Sequence, residues 1–193
     1  MESAWLISYV ILWIITLSLA IVVVVHSRML GLLHYRFGPA HAKTLADGPE
    51  IGTKLTKLSG ISPDEKKWNL TFPFSTDLIL VFVSPQCSTC NETLPHLKDF
   101  SRLQSSPKMI LVSTIDDIRM NQAYIAYRGL EKMEYVIGEK IADELNIEGV
   151  PYALHVNQNG TVGAKGLVNN YENVIGLTKA AAKFNLEGEY QSK

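Results

Sequence analysis

The chain has 193 residues, with 18 Lys and Arg against 19 Asp and Glu, and hydrophobic residues make up 47% of it. A near-neutral balance without a basic run gives no basis for a nucleic-acid partner, and we expect none. Only two cysteines are present, which excludes a disulfide-stapled scaffold and a closed zinc site made of cysteines alone. We expect no metal and no cofactor.

The first segment of note is apolar. Residues 4–25, AWLISYVILWIITLSLAIVVVV, contain no charge and no proline. At about 1.5 Å per residue they can cross a hydrocarbon core of roughly 30 Å. A cleaved signal peptide is the alternative, but its apolar core is usually about 7 to 15 residues long and follows a positive start. The only early charged side chain here is Glu2. We therefore predict a short tail over residues 1–3 and an uncleaved transmembrane helix over 4–25.

Residues 26–47 are predicted to form a juxtamembrane helix and a linker. Arg28, Arg36 and Lys43 lie in this segment, and no Lys or Arg precedes the apolar span. By the positive-inside rule, this bias alone places the rest of the chain in the cytoplasm.

The remaining chain alternates strands and helices. Residues 40–67 are rich in Gly, Lys, Ser and Asp and are interpreted as linker and loop. Continuous apolar runs predict buried strands at 77–83 and 108–114. Helices are predicted over 87–103, 119–130, 139–147 and 171–184, with a short strand at 134–138 and two strands within 149–167 around a turn at Gln158-Asn159-Gly160. The alternation indicates an α/β layered domain, placed at 48–187 with a tail at 188–193.

Both cysteines lie in VSPQCSTCNETLPHL, residues 83–97. Cys87 follows a predicted buried strand and opens a helix, whose unpaired N–H groups and partial positive charge favour a thiolate and lower the pKa of the thiol. Cys90 lies one turn further on, close enough to form a disulfide with Cys87 and to resolve a mixed disulfide. The spacing and the position therefore predict a redox pair.

Two other interpretations of the cysteines are a metal site and a pair of inert core thiols. A metal site would need two more ligands, and the nearest candidates are His96 and His155; His96 lies well into the helix, beyond the thiols at its start. Two inert core thiols fit poorly, because a helix start is usually partly exposed.

Two prolines support the redox interpretation. Pro95 lies within the predicted helix, where it removes a hydrogen bond. Pro151 precedes a strand at a position that is unusual for proline in a central strand, and a cis Val150-Pro151 bond would explain it.

These features resemble the thioredoxin family over about residues 48–184. The order and spacing of strand, Cys-x-x-Cys and helix, of Pro95, and of GVP before a strand pair are those of that family. The resemblance implies a thioredoxin-like (redoxin type) central sheet flanked by helices. It also implies that Cys87 is the nucleophile, Cys90 the resolving thiol, and Pro151 a cis proline that docks the substrate.

Two positions depart from thioredoxins: Gln86 replaces the usual Trp, and Val81 replaces a buried acid. SPQCSTC after an apolar strand, the single N-terminal span and the segment GLLHYRFGPA are more similar to the membrane-anchored methylamine dehydrogenase accessory protein (MauD) subgroup. That resemblance implies a thiol–disulfide oxidoreductase of the bacterial inner membrane, facing the periplasm or cell exterior. It would act on the thiols or disulfides of a client protein in methylamine metabolism and exchange electrons with a membrane redox partner.

Two rival functions remain open, an envelope reductase for apocytochrome c or similar thiols and an assembly module that binds a client without redox turnover. The resemblance also conflicts with the charge bias over topology. We favour the outside location, because disulfides persist on the oxidising side of the membrane.

The other polar and aromatic residues of note are predicted to have structural roles, with one alternative. Asp116-Asp117 is predicted to cap a helix, with proton shuttling as the alternative. His155 is predicted to be packed or at the surface, and Tyr124 and Tyr127 to be half-buried packing residues.

Overall fold

The computed structural model describes residues 2–36, 48–103 and 106–191, with side chains over 5–25, 48–103 and 106–186. The chain divides into two units after residue 43. The predicted linker after the juxtamembrane helix, residues 37–47, lies outside the described residues.

The first unit contains one long helix, α1 (Glu2–Arg36). Within it, Trp5–Val25 is a run of 21 residues with a mean hydropathy of 2.7 and exposed side chains, long and apolar enough to cross a membrane. The predicted single N-terminal apolar helix is therefore confirmed. The helix continues past the apolar run to Arg36.

The second unit is built on a seven-stranded sheet with the order β2-β1-β5-β4-β3-β6-β7. The central strands β3, β4 and β5 are parallel, and all other pairings are antiparallel. The strands are β1 (Lys57–Ile61), β2 (Lys67–Thr71), β3 (Leu78–Val83), β4 (Lys108–Ser113), β5 (Glu134–Ile137), β6 (Tyr152–Val156) and β7 (Val162–Leu167).

Helices cover both faces of this sheet, which explains why β3 reads as an unbroken apolar run. Alternate residues of β3 pack into two cores, one with Ile79, Val81 and Val83 and the other with Leu78, Leu80 and Phe82. The first core contains side chains of α2 (Ser88–Ser101), α3 (Ile118–Arg128) and α5 (Tyr171–Gln191), and the second those of α4 (Glu139–Glu144). The predicted α/β sheet with flanking helices is confirmed.

The largest difference from the sequence interpretation lies in residues 40–67. Instead of a loop throughout, β1 occupies Lys57–Ile61 and forms a hairpin with β2. Leu58 and Leu70 face each other across the hairpin and are 3% and 4% exposed. These strands are short and carry one buried leucine each among residues that are not buried, so no period-two pattern is long enough to predict them.

Smaller differences are found elsewhere. A second cis peptide bond, Phe72-Pro73, was not predicted. Helix α5 continues to Gln191, beyond residue 187. Of the two tyrosines expected to be half-buried, Tyr124 is buried and Tyr127 is 81% exposed.

Candidate active site

A tight turn at the carboxyl end of β3 positions the cysteines. The Cys87 N–H donates to the Ser84 carbonyl oxygen (3.1 Å), and the Gln86 N–H donates to the Ser84 hydroxyl (3.3 Å). Pro85, with its restricted φ, occupies the second position of this turn. The turn therefore brings Cys87 to the start of α2 immediately after the buried strand.

Cys87 is the N-cap residue of α2. Its backbone is extended (φ −87°, ψ 113°), and its Sγ accepts the N–H of Cys90 at 3.0 Å. No acidic residue lies in the first turn of the helix. The helix N-terminus and this N–H therefore both favour negative charge on the Cys87 sulfur when the pair is reduced.

The two sulfurs differ in accessibility. They are joined as a disulfide, with Cys87 half-buried and Cys90 completely buried in the core beneath α2. An incoming thiolate or disulfide can therefore reach Cys87, whereas Cys90 is shielded by the helix and the sheet. This asymmetry separates an accessible sulfur from an internal one.

Pro151 lies beside the cysteines, on the side of β6. The Val150-Pro151 peptide bond is cis, and the Val150 carbonyl oxygen is 3.7 Å from the Cys87 Sγ. The Pro151 carbonyl accepts the Val168 N–H at 3.2 Å, which ties this turn to the end of β7. Cys87, Cys90 and Pro151 thus meet at one edge of the sheet.

The loop after β4 forms a third element of the site, and the contact between Met120 and Gln86 that follows it was not predicted. The loop from Thr114 to Asp117 follows β4, and the Thr114 N–H donates to the Val83 carbonyl at 3.0 Å. In the first turn of α3, the Met120 Sδ is 3.7 Å from the Gln86 Nε2. The only sequence signal for this contact was the order of the strands, which puts the loop after β4 next to the loop after β3.

Asn121 holds this loop in place. It is completely buried, and its Oδ1 accepts the Tyr135 hydroxyl at 2.7 Å. Its Nδ2 donates to the carbonyls of Ile115 and Asp117, both at 2.8 Å. Burial raises the pKa of Tyr135, so its hydroxyl remains a donor. The amide therefore fixes the loop against β5.

The polar residues considered in the sequence have structural roles. Asp117 is the N-cap of α3, where its Oδ1 accepts the Met120 N–H at 2.9 Å, as predicted. His155 is packed on β6 at 3% exposure, and its Nε2 lies 3.6 Å from the Asp77 carboxylate. His96 is half-buried on α2. Over the part of the chain that the structure describes, no three His, Cys, Asp or Glu side chains come together as a metal site would require.

No buried carboxylate is found near Cys90 among the described residues of this unit. Val81 is fully buried in the core that contains Cys90, and no Asp or Glu is buried among residues 48–103 and 106–186. The buried acid that thioredoxins carry therefore has no counterpart among these described residues.

Comparison with solved structures identifies the fold. The thioredoxin domain of a thiol-disulfide oxidoreductase from Bacteroides vulgatus superposes with a TM-score of 0.55 and 20% identity, covering 65% of this chain and 96% of that one. A thiol:disulfide interchange protein from Bacteroides sp. gives a TM-score of 0.52 and 20% identity, covering 65% and 88% of the two chains. The fold is thioredoxin-like.

Curated relatives extend the similarity over nearly the whole chain, although no protein-family model matches it. Methylamine utilization protein MauD of Paracoccus versutus is 26% identical over 174 residues, covering 90% of this chain and 87% of that protein. MauD of Methylobacillus flagellatus is 28% identical over 172 residues, covering 88% and 83%. The predicted resemblance to MauD is confirmed. Together with the Cys-x-x-Cys pair in the thioredoxin-like unit, it supports an oxidoreductase role.

Proposed function

We propose that the protein is a membrane-anchored thiol–disulfide oxidoreductase that forms, reduces or rearranges disulfides in an extracytoplasmic client, as a maturation factor similar to MauD. The observation that carries this proposal is the difference between the two sulfurs, Cys87 half-buried at a helix N-terminus and Cys90 fully buried behind it. An assembly module without redox turnover has no need for this arrangement.

In the reducing direction, the Cys87 thiolate attacks a client disulfide. A Cys87–client disulfide forms and one client thiolate leaves. The Cys90 sulfur then displaces the second client sulfur, loses its proton to water or to that thiolate, and closes the disulfide found here. Two electrons pass to the client, and a membrane dithiol must restore them.

In the oxidising direction the same bonds exchange in reverse. A client thiolate attacks Cys87 and displaces Cys90, a second client thiolate displaces Cys87, and a membrane oxidant removes the two electrons. In either direction we assign Cys87 as the nucleophile, Cys90 as the resolving thiol and Pro151 as the residue that docks the client backbone.

We place the chain in the bacterial inner membrane through residues 4–25, with the thioredoxin-like unit on the periplasmic or exterior side. The apolar helix supports the anchor. The side of the membrane is inferred from the chemistry, since disulfides persist outside the cytoplasm.

Trapping of mixed disulfides in cells tests the proposal. Cys90→Ser retains the attacking sulfur but cannot resolve the adduct, so it should accumulate client adducts that disappear on reduction. Cys87→Ser, the matched control, should accumulate none, because its remaining sulfur is buried. Equal trapping by both variants would contradict the assigned roles, and full client maturation with both cysteines replaced would establish a non-redox module.

A further inference from the structure

Two walls border the accessible sulfur. On one side is the Val150 carbonyl, 3.7 Å from the Cys87 Sγ. On the other side are Gln86 and Met120. The Gln86 Nε2 lies 3.7 Å from the Met120 Sδ. These walls lie on opposite sides because β3 is flanked by β6 and β4, which carry Pro151 before one strand and Met120 after the other. A client segment bound at Cys87 would therefore lie beside Gln86, the chain neighbour of Cys87, and close to Met120, which contacts Gln86.

The wall formed by Met120 is held firmly. The Met120 N–H is capped by Asp117 at 2.9 Å, and Asn121, the next residue, ties down the carbonyls of Ile115 and Asp117. Fixing the wall before the client arrives lowers the entropy cost of binding. The backbone position of Met120 is therefore set by the fold and does not depend on the client.

The wall formed by Gln86 and Met120 presents an apolar thioether and one side-chain amide. Met120 is half-buried, and its unbranched thioether adapts to apolar side chains of different shape. Gln86 is exposed, and its contact with Met120 is the only side-chain hydrogen bond found for it among the described residues. Its carbonyl oxygen and second N–H hydrogen are therefore available to a peptide backbone, which offers one donor and one acceptor per residue.

We propose that Gln86 and Met120 are specificity-determining residues for the client. Met120 selects segments with an apolar residue next to the reacting cysteine, and the Gln86 amide pairs with the client backbone. This inference rests on the proposed thiol–disulfide exchange at Cys87 and adds to it the kind of segment that is accepted.

The test uses the oxidised full chain in detergent and three reduced thiols: a capped peptide containing Leu-Cys-Leu, a matched one containing Ser-Cys-Ser, and 2-mercaptoethanol. In each case the thiolate attacks Cys87, forms a mixed disulfide and displaces Cys90, and the initial rate of this step is measured. The wild type should prefer the leucine peptide about 10-fold, which corresponds to partial burial of one apolar side chain. Met120→Glu should reduce this preference to within about twofold, and Met120→Leu should retain it.

Three comparisons separate this proposal from its alternatives. Ala123→Glu adds the same charge to an exposed position of α3 and should leave the preference unchanged. Gln86→Ala should slow both peptides about 2- to 10-fold, the range of one neutral hydrogen bond, without changing their ratio. An unchanged ratio in Met120→Glu with a normal 2-mercaptoethanol rate would overturn the proposal. A wild type inert to all three thiols would instead refute the oxidoreductase function itself, and the inference with it.

Discussion

The buried hydrogen bonds of Asn121 make a quantitative prediction about stability. Asn121→Leu keeps the approximate volume of the side chain but removes three hydrogen bonds, one from the Tyr135 hydroxyl and two to the carbonyls of Ile115 and Asp117. Tyr135 is only 5% exposed, so its hydroxyl proton loses its Asn121 acceptor without gaining water, and the hydroxyl retains only its side-chain interaction with Ser113. The two carbonyls lie in a half-exposed loop and can be rehydrated.

The expected cost follows from this difference. An unsatisfied buried hydroxyl costs about 1–3 kcal/mol, and each rehydrated carbonyl loses a net contribution of about 0.5–1.5 kcal/mol. We therefore expect Asn121→Leu to lower the free energy of unfolding by about 3 kcal/mol and the Tm by roughly 10 °C. Tyr135→Phe should cost about 1–2 kcal/mol, because it leaves the Asn121 Oδ1 without a donor. The double variant contains neither the Tyr135 hydroxyl nor the Asn121 Oδ1, so neither group is left unpaired. The destabilisation of the double variant should therefore be about 1 kcal/mol smaller than the sum of the two single effects.

The assay is urea unfolding of the oxidised full chain in detergent. The measurement is made in a background with Trp5→Phe and Trp13→Phe, so that fluorescence reports on Trp68 in the thioredoxin-like unit, which donates to Glu134, the neighbour of Tyr135, at 2.8 Å. Ala123→Leu, an exposed change on the same helix, should alter stability by no more than about 0.5 kcal/mol. A loss below about 0.5 kcal/mol for Asn121→Leu, or strict additivity of the two changes, would refute the argument that this network holds the loop.

Two further predictions concern topology and pH. A phosphatase that is active only outside the cytoplasm should be active when fused after Lys193, and an impermeant maleimide should label reduced Cys87 in whole cells; an inactive fusion with protected Cys87 would place the unit in the cytoplasm. Burial lowers the pKa of His155 from its ordinary value of 6.5, while the Asp77 carboxylate partly raises it. The unfolded chain therefore binds the proton more readily, so stability should fall as the pH drops below about 6.5. His155→Leu should remove this part of the loss and Asp77→Asn should enlarge it in urea unfolding measured between pH 7.5 and 5; identical pH dependence in all three proteins would count against it.

Much of the sheet could be predicted because a strand that is buried on both faces appears in the sequence as a continuous apolar run. The strands at Leu78–Val83 and Lys108–Ser113 lie within the predicted runs, and α2 begins one residue after its predicted start at Cys87. The hairpin of β1 and β2 could not be predicted, because it buries single leucines at the margin of the sheet. Local patterns detect an element only when several of its residues are buried in a regular period.

The sequence by itself indicated the parts of the candidate site and of the anchor: a pair of cysteines at the start of a helix after a buried strand, a proline before a later strand, and an apolar helix at the N-terminus. Only the tertiary structure decided how they differ and what surrounds them. Cys90 is sealed in the core while Cys87 is accessible, the Val150 carbonyl comes within 3.7 Å of Cys87 across 63 positions of the chain, and Met120 meets Gln86 across 34. Periodicity and helix capping act within a few residues, so the sequence reveals them directly. Burial and contacts between distant segments depend on how the strands are ordered and how the helices pack on them, and they exist only once the chain has folded.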